Sequence, residues 1–188
     1  MSDLLRTFIA MDIKPSPALI QVINNLQNNL SEESIKWVNP AGLHLTLKFL
    51  GDTLPSQVDE VGEELNQLSG TFSSFSFQLE GLGYFKSKGV PRVLFANIKG
   101  GEELQLLAAE INNRLTKLGF EPEPRPFKPH LTLGRIKFLK NRNVFYDLVE
   151  KYRESFFENV SVNEVIFYRS ILKFEGPEYR KLENFRFL

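Results

Sequence analysis

His44-Leu45-Thr46-Leu47 recurs 86 residues further on as His130-Leu131-Thr132-Leu133, and these two stretches hold both histidines of the 188-residue chain. Arg6 precedes the first by 38 residues and Arg92 precedes the second by the same 38, with Arg6-Thr7-Phe8-Ile9-Ala10 echoed by Arg92-Val93-Leu94-Phe95-Ala96. The spacing reads as one unit used twice, over residues 1–86 and 87–188, within a single domain spanning 1–188. Inside each motif apolar and polar residues alternate. Side chains of a strand point alternately to its two faces. Leu45, Leu47 and, continuing the period of two, Phe49 are therefore expected on a core face, with His44 and Thr46 opposite. His130 and Thr132 stand in the same relation to Leu131 and Leu133.

One such triplet reads most simply as a half-buried strand whose polar face happens to carry a His and a Thr. Two copies at a matched offset point to a site. Net charge is zero, from 23 basic and 23 acidic residues, so any polyanion must be met by a local patch. The hydrophobic fraction of 42%, with 17 phenylalanines, suffices for a core without disulfides. No cysteine is present, which removes thiolate chemistry and cysteine-based zinc sites. Arg6 and Asp12 bracket an apolar stretch too short for a signal-peptide core, and no uncharged run approaches membrane-spanning length. The expectation is a cytoplasmic protein with no membrane association.

Helical periodicity appears before each motif, at Leu19, Ile20, Ile23, Leu26 and Leu30 after Ser16-Pro17, and at Leu104, Leu107, Ala108, Ile111, Leu115 and Leu118 with Gly119 as a stop. It appears again after each, from Pro55 with Val58, Val61, Leu65 and Leu68, and over Asn141–Tyr152 with Val144, Leu148 and Tyr152 on one stripe. Alternation at Phe75-Phe77-Leu79, a turn at Gly89-Val90-Pro91 into Arg92–Ile98, strand through Val160, Val162, Val165 and Phe167, and a turn at Glu175-Gly176-Pro177 into a closing strand complete the pattern. This predicts an α+β fold of two pseudo-symmetric lobes, each an antiparallel sheet with helices, around a central cleft that unites the motif strands.

Two histidines across a cleft supply both partners of acid–base catalysis. One accepts a proton and the other donates one, since the ordinary imidazole pKa of about 6.5 allows either state near neutrality. Thr46 and Thr132 can donate hydroxyls to the oxygens of a phosphoryl group held between them. From Pro124 to Tyr146 the sequence carries Arg125, Lys128, Arg135, Lys137, Lys140 and Arg142 and no acid. Most of that run reads as a solvated basic face. Arg135, three residues after Thr132, is placed to fork onto phosphate oxygens. The first copy has Phe49 there, leaving Lys48 as its nearby cation. Arg6 and Arg92 are expected in ion pairs at strand starts. Two histidines fall short of the three protein ligands usual at catalytic zinc. Serine-hydrolase, Walker and dinucleotide fingerprints are absent. No metal or other cofactor is expected.

These residues resemble the two-histidine (2H) phosphoesterases, and within them the RNA 2′,3′-cyclic phosphodiesterases historically called 2′-5′ RNA ligases. The likeness runs through Arg6–Ala10, Trp37, His44–Gly51, Pro91–Leu94, Arg125–Arg135 and Tyr168-Arg169-Ser170 with Gly176 and Tyr179. It implies a bilobal fold with the site in the central cleft and no metal requirement. It further implies hydrolysis of RNA or nucleotide 2′,3′-cyclic phosphate to a 2′-phosphate end, with His44 as acid on O3′ and His130 as base on water. Thr46, Thr132 and Arg135 would bind the phosphate. Phe49, Phe127, Tyr84 and Tyr168 are candidates for stacking on a base. No protein partner is implied. Alternatives are 2′-5′ ligation at the same site and a non-catalytic module that binds RNA or nucleotide.

Overall fold

A computed structural model describes residues 4–174 and 176–188, so Glu175 of the expected Glu175-Gly176-Pro177 turn lies outside the described residues. In chain order the elements are β1 (Leu5–Asp12), α1 (Pro17–Asn29), β2 (Ser34–Trp37), a short 3-10 turn (Pro40–Gly42), β3 (His44–Thr53), α2 (Pro55–Ser69), β4 (Phe75–Ser87), β5 (Val90–Lys99), α3 (Glu102–Lys117), β6 (His130–Phe138), α4 (Arg142–Lys151), β7 (Phe156–Val162), β8 (Glu164–Lys173) and β9 (Gly176–Arg186). The chain thus starts both motifs on the first residue of a strand. Helix starts follow the expected chemistry. The Ser16 side chain accepts the Leu19 N–H at 3.2 Å ahead of Pro17. The Gln57 side chain closes back on the Leu54 N–H at 2.9 Å, and Asn141 caps α4. Glu102 and Glu103 in the first turn of α3, with Arg114 and Lys117 in its last, suit the helix dipole. On α4 the buried stripe is Phe145 and Leu148 rather than one containing Val144, which stays exposed.

The strands form two wholly antiparallel sheets, one ordered β3-β1-β8-β9 and the other β2-β6-β5-β4-β7. The order β3-β1-β8-β9 is repeated by β6-β5-β4-β7, with the short β2 added outside β6. The lobes do not coincide with the halves of the chain. β4 crosses from the first half to complete the second sheet, and β8 and β9 cross back to complete the first. α2 and α3 cover the first sheet, and α1 and α4 the second. Asn163 alone separates β7 in one sheet from β8 in the other. These exchanges bind the lobes together, and one continuous apolar core includes Ile9, Leu45 and Phe167 from the first sheet and Leu79, Leu94 and Leu131 from the second.

Two local features matter for the cleft. The β4–β5 hairpin turns on Lys88 and Gly89, both with positive φ (50° and 77°), as a two-residue turn matched to strand twist requires. Gly134 on β6 lies beneath β2: a Cβ there would sit 2.9 Å from Ile35 Cγ2 and 3.2 Å from the Trp37 ring. Trp37, which precedes the first motif in sequence, thus packs directly on the second motif strand.

Candidate active site

Both motif strands depart from regular pairing at the same residue. Along β1–β3, Ala10 faces Thr46 and Ile9 faces Lys48, which leaves Leu47 as an inserted residue. Along β5–β6, Phe95 faces Thr132 and Leu94 faces Gly134, which leaves Leu133 inserted. A β-bulge of this kind shifts the phase of alternation by one. Residues before it keep the expected sides, so Leu45, Leu47, Leu131 and Leu133 are buried while His44, Thr46, His130 and Thr132 stay partly open. After it the sides exchange. The expectation that Phe49 joins the leucines is therefore corrected: it is 60% exposed and lines the cleft. The same shift brings Arg135, an odd number of residues beyond Thr132, back to the side of the histidine and threonine.

The two imidazoles are held alike. His44 Nδ1 lies 2.8 Å from the Gly42 carbonyl oxygen, and His130 Nδ1 lies 2.7 Å from that of Lys128. A carbonyl can only accept, so Nδ1 carries the proton in both rings, and Nε2 remains to accept or donate. His44, Thr46, His130, Thr132 and Arg135 all line one cavity of about 950 Å³. Aromatic edges and faces hold each ring. Tyr179 meets His44 edge-on at 5.0 Å and Phe8 lies 5.4 Å away, while Phe85 and Phe95 pack against His130 at 4.8 and 5.3 Å.

Burial lowers the pKa of both histidines, opposed by the Gly42 and Lys128 carbonyl bonds, and the Arg135 charge lowers both further. One influence is not shared. Asp12, the strand partner of His44, raises the His44 pKa, and no carboxylate acts on His130 in this way. Asp12 is held in place by the Tyr168 hydroxyl, which donates to it, and by Lys181 Nζ at 2.6 Å.

The remaining sequence candidates divide. Phe127 lines the cavity, as does Phe49. Tyr168 does not offer a face: it is buried, stacked on Phe8 at 5.0 Å. Tyr84 packs on Phe145 and Tyr146 away from the cleft lining. Neither Arg6 nor Arg92 forms an ion pair with a described residue. Arg92 donates to the Lys137 carbonyl at 2.7 Å, and Arg6 lines the cavity. Lys48 is not a free cation. It is buried, and its Nζ donates to Asn112 Oδ1 and the Glu121 carbonyl, each at 2.8 Å. Among the described residues no group of three or more His, Asp or Glu is arranged to hold a metal ion.

The model of LigT-like phosphoesterases matches this chain twice, over residues 13–95 and 98–179. The chain belongs to the LigT-like phosphoesterase family. It is 36% identical to the RNA 2′,3′-cyclic phosphodiesterase of Archaeoglobus fulgidus over 96% of this chain and 99% of that one. Its identity to the enzyme of that name from Thermotoga maritima is 33%, over 97% and 96%. A crystal structure of a Thermus thermophilus protein superposes with a TM-score of 0.79 at 28% identity, covering 97% of each chain. Escherichia coli LigT shares the fold at TM-score 0.76 and 21% identity, over 99% of each chain.

Several residues around this LigT-like cleft were not legible as site residues. Phe85 and Phe95 belong to a strand pair whose aromatics read as core. Tyr179 lies on β9, whose approach to β3 depends on the strand exchange between lobes. Asp12 becomes relevant only through its register with His44, which a strand read in isolation does not show. No helix of the described residues is long and apolar enough to cross a membrane.

Proposed function

We propose that this LigT-like phosphoesterase hydrolyses the 2′,3′-cyclic phosphate of RNA ends or nucleotides to a 2′-phosphate, by paired histidine catalysis without a cofactor. The supporting observation is the matched pair of imidazoles, each fixed through Nδ1 on a carbonyl, lining one cavity with Thr46, Thr132 and Arg135. The name shared by its relatives from A. fulgidus and T. maritima supports the same substrate. His130 Nε2 takes a proton from water as its oxygen attacks phosphorus. The P–O3′ bond breaks, and His44 Nε2 gives its proton to O3′, leaving phosphate on O2′. The threonine hydroxyls and the Arg135 guanidinium meet the non-bridging oxygens, where charge grows. Asp12 supports this direction, since a carboxylate near His44 favours the protonated ring that an acid needs. Residues 1–188 act as one bilobal unit built from copies at 1–86 and 87–188.

The test is the pH profile of chelator-treated protein on a nucleoside 2′,3′-cyclic phosphate. Hydrolysis is expected to persist and to yield the 2′-phosphate. The rate should trace a bell, its limbs belonging to the coupled pair and displaced to the acid side of the ordinary imidazole value, because both pKa values are lowered by burial. Asp12→Asn removes the one group that selectively raises His44, so the alkaline limb should move to lower pH while the acid limb stays. Movement of the acid limb instead would exchange the two roles. Loss of activity on chelation, restored by a divalent metal, would contradict the cofactor-free reading.

A further inference from the structure

We propose that the cleft carries a second phosphate subsite, formed by the Arg125 and Lys128 side chains, for the internucleotide phosphodiester on the 5′ side of the terminal nucleotide. The inference rests on the cyclic-phosphate reading above and specifies its substrate as the end of an RNA chain rather than a free nucleoside cyclic phosphate.

The first ground is charge. The protein is neutral as a whole, yet Arg6, Arg125, Lys128 and Arg135 line the cavity with Glu123 the only carboxylate among the described lining residues. None of these four cations is ion-paired with a described residue. One cyclic phosphodiester carries a single negative charge, and two histidines, two threonines and Arg135 already serve it. Arg125 and Lys128 are cations beyond that need.

The second ground is that the segment carrying these cations is anchored at both ends. They lie between α3 and β6 in a segment with no helix or strand of its own. The segment is anchored at its start, where the buried Lys48 donates to the Glu121 carbonyl and to Asn112 Oδ1, which also accepts the Glu123 N–H at 3.0 Å. Burying an ammonium without a carboxylate bond is costly unless its hydrogen bonds are made. Here one is made to the segment and the other to Asn112 of α3, which itself accepts the segment's Glu123 N–H. At the other end, the Lys128 carbonyl receives the His130 ring. Arg125 and Lys128 thus belong to an anchored stretch that lines the same cavity as the two histidines.

The third ground is exposed apolar surface in the same cleft. Phe49, Leu172 and Tyr179 line the cleft from the first sheet while 60%, 70% and 41% exposed. Exposed aromatic faces suit bases. The cleft thus offers exposed apolar surface for bases together with cations for a phosphate backbone, the two kinds of contact a single RNA strand makes.

The experiment compares three substrates with the intact protein: a nucleoside 2′,3′-cyclic phosphate, the same nucleoside also bearing a 5′-monophosphate, and a trinucleotide ending in a 2′,3′-cyclic phosphate. The trinucleotide should be favoured in kcat/KM by about tenfold or more, chiefly through KM, as one charge-assisted contact allows. Arg125→Gln should remove most of that advantage and leave the nucleoside cyclic phosphate unaffected. It should also reduce the salt dependence of trinucleotide binding by about 0.7 in log–log slope, the loss of one single-strand phosphate contact. Equal kcat/KM for nucleoside and trinucleotide, or an Arg125→Gln variant that loses equally on both, would overturn the subsite. The 5′-monophosphate, which presents the same phosphate, should recover most of the trinucleotide's advantage; a 5′-monophosphate no better than the nucleoside would overturn the assignment of the subsite to that phosphate. Absence of hydrolysis on the nucleoside itself would count against the underlying activity instead.

Discussion

His44→Ala and His130→Ala are each expected to lower kcat on a nucleoside 2′,3′-cyclic phosphate by about 100- to 10,000-fold, the worth of one positioned acid or base. The two rings act on opposite ends of one displacement, so the double variant should be little slower than either single variant. The Nδ1 bonds to Gly42 and Lys128 carbonyls make the comparison clean. Each alanine removes a ring from a carbonyl near the surface of the cleft, where water can replace it, and leaves Leu45 and Leu131 in the core. Circular dichroism and thermal melting should therefore change little. Full activity of both single variants would leave phosphate or RNA binding as the better account of the fold.

Replacing Thr46 or Thr132 by valine is expected to cost about 100-fold, since each removes one neutral donor to the oxygens on which charge grows. Arg135→Lys should also slow the reaction, because a point charge cannot reproduce a forked contact. The losses should lie in kcat more than in KM if these groups bind the transition state better than the substrate. Arg135 has an additional effect, since its charge lowers the pKa of both rings. Its replacement by a neutral residue should carry both limbs of the pH profile upward, a shift the threonine variants should not produce. A uniform rise in KM with unchanged kcat would reduce all three to ground-state binding.

The repeated tetrapeptide makes the lobed architecture, the two strands and their polar faces readable in the sequence, because alternation over four residues is a local property. Ser16, Pro55, Asn141 and Gly119 marked helix ends by local chemistry too. What escaped is what depends on pairing. The inserted Leu47 and Leu133 are ordinary leucines, and only register against β1 and β5 identifies them as bulges. Phe49 was consequently expected on the wrong face. Lys48 next to it read as the first lobe's cation near the phosphate, although Asn112 and Glu121, distant in sequence, accept its protons in the interior. The four-residue β2 was too short to read, and with it the packing of Trp37 on Gly134. Exchange of β4, β8 and β9 between sheets brought Tyr179 and Phe85 to the two histidines, a consequence of topology rather than of any local pattern.

The central claim is that both histidines act on one phosphate. Because the chain has only two, a protein labelled with nitrogen-15 in histidine alone shows just two imidazole rings by NMR. Titration of a nucleoside 2′-monophosphate, the proposed product, should shift both Nε2 resonances with a common binding constant and raise the pKa of both rings. Both Nδ1 atoms should stay protonated on their carbonyls throughout. A response confined to one ring, or two responses with different binding constants, would contradict a single shared phosphate and with it the paired mechanism.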